Sequence, residues 1–182
     1  MNRRISLYMC GLLLAFVPQI NAAETLKVDS AASKVDFVGK KDDGNHVGGF
    51  KKVEGTALVD HETPSASSLK LAIDTKSLWS DDPKLTAHLS NADFFNVREF
   101  PTITFESTKV VMKDDNKGEI VGKLTMLGKT VETTVPVTAE SKDAELHLHA
   151  KFKIDRTQWG MKYGVGKIKN EVDLDAHLIL KK

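Results

Sequence analysis

The sequence predicts an all-β fold: one antiparallel barrel or sandwich of about eight strands, with a single short helix near residues 83–90. Three observations predict it. Apolar and polar residues alternate with period two through most of the chain from Leu26 onward. Clusters of Asp, Asn, Gly and Pro separate the alternating stretches and supply turn chemistry. One segment departs from the alternation, and it carries a helix start.

The chain's 182 residues suit a single domain with a sizeable core. Residues 1–22 have the form of a secretory signal peptide. Arg3 and Arg4 precede the apolar run Leu7–Val17, then come Pro18 and the small-residue end Asn21-Ala22-Ala23. Cleavage is expected after Ala22 or Ala23, leaving 23–182 as one domain. The run falls well short of the roughly 20 residues a membrane-spanning helix needs. The paired arginines alone are a weak signal for twin-arginine export, so general secretion is expected. Export implies the periplasm.

Loss of the leader removes two arginines and no acid, so the net charge of +1 becomes −1. That balance offers no electrostatic footprint for nucleic acid. No second apolar stretch remains as a stable membrane anchor. Cys10, the single cysteine, leaves with the leader, so the mature chain has neither a disulfide nor a cysteine-based zinc site.

The expected strands follow in order. Ser33–Val38 and Phe50–Asp60 are weaker candidates, separated by the turn signal Asp42-Asp43-Gly44-Asn45 and a glycine-rich loop holding His46. After Glu62-Thr63-Pro64-Ser65, Ser68–Thr75 places Leu69, Leu71 and Ile73 on one face and Lys70 and Asp74 on the other. Asp82-Pro83 then opens a helix in which Leu85 and Leu89, four apart, face one way. Phe94, Phe95, Phe100 and Phe105 make up half of the eight phenylalanines, so a helix and an aromatic cluster are expected to cap one barrel end, where a ligand mouth would lie.

Thr102–Met112, Glu119–Leu127 and Thr130–Thr138 come next, punctuated by the loop signals 114–118 and Leu127-Gly128-Lys129. In Ala144–Ile154, Leu146, Leu148, Ala150, Phe152 and Ile154 alternate with Glu145, His147, His149, Lys151 and Lys153. Near the C-terminus Val172, Leu174, Ala176, Leu178 and Leu180 alternate with Asp173, Asp175, His177 and Lys181.

Candidate chemistry is sparse. His147-x-His149 projects two imidazoles from one strand face, but that face is charged and no third ligand is visible beside it. His46, His61, His88 and His177 suit structural or exposed roles, although a neutral histidine can hydrogen-bond a ligand head group. The chain has no nucleophile elbow, no H-E-x-x-H and no phosphate loop, so no enzyme activity and no catalytic residue is expected. Asp155-Arg156 suits a strand-end salt bridge or turn. Trp159, Met161 and Tyr163, before Gly164 and Gly166, suit either an aromatic rim or ordinary core packing.

Several segments, in this order, resemble the YceI-like family of exported proteins. They are Ser33-Lys34-Val35-Asp36-Phe37, His46-Val47-Gly48-Gly49-Phe50 with Gly55, and His88-Leu89-Ser90-Asn91-Ala92-Asp93-Phe94-Phe95-Asn96-Val97 running on to Phe100-Pro101 and Phe105-Glu106-Ser107. Gly122–Thr130 and Phe152–Arg156 complete the set, so the resemblance spans nearly all of 25–181. Upstream of His88-Leu89, where family members often carry Arg-Asp, this chain has Leu85-Thr86-Ala87. The resemblance implies a lipocalin-like, eight-stranded antiparallel barrel holding an isoprenoid chain in an apolar interior.

Inward strand positions supply the expected lining: Leu71, Ile73, Phe105, Leu124, Met126, Leu148, Phe152, Leu174 and Leu178. Leu89, Phe95, Trp159 and Tyr163 are added from the helix, the aromatic cluster and the rim. His46, His88 and Arg156 are candidate head-group contacts. The leading expectation is therefore a periplasmic carrier or sequestering protein for an isoprenoid or similar lipid, with that lipid as its partner and no cofactor or metal. The alternatives are a metal-binding protein or metal-dependent hydrolase using His147 and His149 with His46 or His88, and a solid barrel that acts through loops Asp42–Gly49 or Trp159–Gly166.

Overall fold

Antiparallel strands with one apolar face must bury that face, and here they do so by closing on themselves. The computed structural model describes residues 23–114 and 116–182; the expected signal peptide lies outside the described residues. In chain order the strands are β1 (Glu24–Val28), β2 (Lys34–Lys41), β3 (Gly44–Phe50), β4 (Val53–Val59), β5 (Ser68–Asp74) and β6 (Leu78–Ser80). Helix α1 (Pro83–Leu89) follows, then β7 (Thr102–Met112), β8 (Lys117–Met126), β9 (Lys129–Lys142), β10 (Glu145–Asp155) and β11 (Ile168–Lys181).

The ring has eight staves, three of them broken in two. β11 pairs with β2 over its first part and with β1 at its end. β1 pairs with β4 and β2 with β3. In turn β4 pairs with β5, and β3 with β6. The pairs β1/β2, β3/β4 and β5/β6 therefore each act as one bent stave. β5 continues the ring through β7, β8, β9 and β10 back to β11, all antiparallel. This is the expected eight-stranded barrel, with extra strand segments and, among the described residues, one short α-helix.

Two local differences from the sequence reading have physical causes. The stretch expected as a glycine-rich loop, Gly44–Phe50, is strand β3, joined to β2 by the tight turn Asp42-Asp43. Gly48 is needed there as a strand residue: a Cβ would lie 2.5 Å from the Phe37 ring and 2.7 Å from the Trp79 carbonyl. Glycine's low strand propensity hides such a position from sequence reading. The second difference is the long β9, which contains Pro136. Its pairing with β10 ends at Thr138 opposite His149, whereas its pairing with β8 runs on to Lys129. Pro136 has no N–H to donate and sits just past the last β10 pair, where the two strands part.

Helix α1 starts where Asp82-Pro83 predicts. The Asp82 carboxylate accepts hydrogen bonds from the backbone N–H groups of Lys84 (2.6 Å) and Leu85 (3.1 Å), and Pro83 occupies the first turn. Leu89 is buried and Leu85 packs against the core beside it. Among the described residues no helix is long and apolar enough to cross a membrane.

Candidate functional site: an apolar cavity inside the barrel

The interior is hollow. Alternation sends one face of every stave inward, but the staves stand too far apart for those side chains to meet across the axis. They leave a cavity of about 230 Å³, against the roughly 10–15 Å³ that one water requires. The expected inward set lines it: Leu71 and Ile73 from β5, Phe105 from β7, Leu124 and Met126 from β8, Leu148 and Phe152 from β10, Leu174 and Leu178 from β11. Leu85 and Leu89 of α1 and Phe94 and Phe95 after it add to the wall. Phe95 packs edge-on against Phe50, with ring centroids 5.2 Å apart, and both rings meet Phe37 at about 6 Å.

Three of the residues expected at the ligand stand outside this lining. Trp159 is 2% exposed, and its indole N–H donates to the Leu124 carbonyl at 3.0 Å. It belongs to the 3₁₀ turn Arg156–Trp159 that folds over the barrel end after β10. Trp159, Met161 and Tyr163 share no strand face, because the segment between the 3₁₀ turn and β11 is irregular: Met161 is buried and lines the cavity, while Tyr163 is exposed. Tyr163 stacks edge-on with His88, and His88 in turn rests on Phe94, so these two outer rings back onto a buried phenylalanine of the cavity wall.

The polar residues that do reach the lining have their charged ends committed elsewhere. Arg156 is 3% exposed, yet it forms no salt bridge with Asp155. Its guanidinium donates to the carbonyls of Met161 (2.7 Å), Ile168 (3.3 Å) and Lys169 (3.2 Å). Burial lowers its pKa from the usual arginine value. The Asp155 carboxylate instead takes the hydroxyl and backbone N–H of Thr157, which hold it below the ordinary aspartate range. His46 lies 3.0 Å from Asp81, Lys40 is paired with Asp173, and Lys41 is 3.4 Å from Asp43. The arrangement can do one thing well: surround an apolar ligand with apolar side chains.

The histidines regroup relative to expectation. His147 turns to Glu145 on its own strand, at 3.3 Å. His149 meets Asp175 and His177 of the neighbouring strand instead, a grouping that depends on the register of β10 against β11. Burial and the adjacent His149 ring push His177 below the usual imidazole range. Burial works to raise Asp175, but hydrogen bonds from His149 and Lys151 outweigh it and keep the carboxyl below its ordinary value. His46 and His88 pair separately, with Asp81 and Asp93, and share no site with His147.

A family model described as YceI-like domain matches residues 26–180, almost the whole described chain. The chain belongs to the YceI-like family. Protein YceI of Escherichia coli O157:H7 is 33% identical over 137 residues, which cover 70% of this chain and 69% of that protein. A UPF0312 protein of Pseudomonas putida is 32% identical over 134 residues, with the same coverage. Among solved structures, BcnA of Burkholderia cenocepacia superposes on this YceI-like barrel with a TM-score of 0.78. It is 29% identical, and the match covers 84% of this chain and 98% of that one. A polyisoprenoid binding domain from Saccharophagus degradans shares the fold, with a TM-score of 0.67 at 14% identity over 86% of this chain and 97% of that one.

Proposed function

We propose that this protein is exported to the periplasm and holds an isoprenoid or similar apolar chain inside its barrel, as a carrier or sequestering protein. The observation that carries this reading is the cavity of about 230 Å³ walled by Leu, Ile, Phe and Met side chains. Burial of hydrocarbon is favourable by about 0.8 kcal/mol per CH₂, so an isoprenoid chain of a few five-carbon units gains strongly by leaving water for such a wall. The fold shared with a polyisoprenoid binding domain supports the same ligand class. Lys40, Lys41 and His46 are the polar lining residues open to solvent, and of these the His46 imidazole is the candidate to meet a lipid head group where one is present. The leader-like residues 1–22 support export.

The test is organic extraction of protein purified from its native host, followed by mass spectrometry of both extract and chain. The expected result is one apolar lipid per chain, and a chain beginning at Ala23 or Glu24. Folded protein that repeatedly yields no apolar ligand overturns the binding reading. An uncleaved N-terminus overturns the signal-peptide reading.

A further inference from the structure

The outer wall of the barrel carries a side-chain group that the cavity does not use. On the ladder between β10 and β11, His149 lies directly opposite His177, and Lys151 opposite Asp175. Residues two apart on a strand share a face, so both imidazoles and the Asp175 carboxylate stand together outside the barrel. His149 Nε2 is 2.8 Å from Asp175 Oδ1, and His177 Nε2 is 3.1 Å from the same oxygen. The two rings stack at 22° with centroids 3.9 Å apart. One nitrogen from each ring and one carboxylate oxygen all lie within 4.8 Å of one another.

We propose that His149, Asp175 and His177 form a binding site for a divalent transition-metal ion of the zinc, nickel and copper class. Bonds of about 2.1 Å place tetrahedral ligand atoms roughly 3.4 Å apart, and closer together in a square or octahedral arrangement. The two nitrogen–oxygen separations already fall near that range, so rotamer adjustments on a fixed ladder suffice. Two imidazoles and one carboxylate favour zinc, nickel or copper over magnesium or calcium, which prefer all-oxygen cages.

The surroundings fit. Lys151 sits 3.3 Å from Asp175 Oδ2, which orients the carboxylate and leaves Oδ1 to face the rings. On the β2 side Lys34 lies opposite His177 and Asp36 opposite Asp175, but these two neutralise each other at 2.7 Å. From β9, the residue opposite His149 is the uncharged Thr138. The three side chains are 39%, 38% and 47% exposed, so an ion enters from solvent and keeps water in its remaining positions.

The test uses untagged mature protein, so that no added histidines compete. Zinc chloride is titrated calorimetrically, and copper(II) is followed by electron paramagnetic resonance. The expected result is one ion per chain, nitrogen couplings from imidazole in the copper spectrum, and no competition from millimolar magnesium. The double variant His149→Gln/His177→Gln should bind at least about tenfold more weakly, while His147→Gln binds as the parent does. Melting curves in chelator establish that each variant is folded. Folded parent protein without saturable zinc binding overturns the proposal, as does binding that the double variant keeps or that His147→Gln equally destroys. Lipid content, measured on the same samples, is independent of either outcome.

Discussion

Arg156 shows how a residue's role can depend on backbone that its neighbours in sequence do not announce. Buried at the barrel end, it ties three carbonyls of the 161–169 segment to the end of β10. A carbonyl leaves no mark in a sequence, so of the two roles that suit Asp155-Arg156 the structure makes the strand-end turn, capped by Asp155, and not the salt bridge. The same limit applies to His149, Asp175 and His177. Each was visible as a residue, but their meeting depends on a register that a one-residue slip would reverse. The inward Leu, Ile and Phe positions were legible because period two alone decides their face. Truncating Arg156 leaves those carbonyls short of donors in a buried setting. Arg156→Ala should therefore cost about 2–4 kcal/mol, read as a lower denaturant midpoint, with faster hydrogen exchange confined to residues 161–169. Exchange that quickens evenly over the whole barrel would refute this local role.

At the scale of elements, long alternating strands announced themselves and short or glycine-bearing ones did not. β5, β10 and β11 carry uninterrupted alternation, and each lies where it is expected. β6 has three residues, too few for a period, and β3 hides behind the two glycines that let it approach Phe37 and Trp79. Helix α1 was legible from one cap and one proline, and it matters beyond its seven residues because Leu85 and Leu89 form part of the cavity wall. A helix this short owes its stability to capping and packing rather than to its own propensity. Removing the cap with Asp82→Ala should cost about 1 kcal/mol. Because the frayed turn carries cavity wall, an apolar fluorophore held in the barrel should dissociate faster from this variant than from the parent. Unchanged dissociation in a measurably destabilised variant would show that α1 is not on the exit path.

For the whole molecule, a closed ring of eight staves has no free edge within the ring, but closure fixes a diameter that its side chains do not fill. An empty apolar space gives up the packing contacts that a filled core would make, so stability and occupancy are linked. A ligand that binds only the folded barrel adds about 2.7 kcal/mol when present at a hundred times its dissociation constant. For a domain of this size, 1 kcal/mol moves the melting temperature by roughly 2–4 °C. Extracting the lipid should thus lower the melting temperature by about 5–10 °C, and adding it back should restore the loss. Ala150 offers the control, since it is buried on β10 and lines the cavity. In a packed core, enlarging it would cost about 1–3 kcal/mol in strain. Here Ala150→Trp points an indole into open space and takes the ligand's place. The variant should melt close to the loaded parent and show no further rise with lipid. A lipid-dependent rise as large as the parent's would place the ligand somewhere other than the barrel interior.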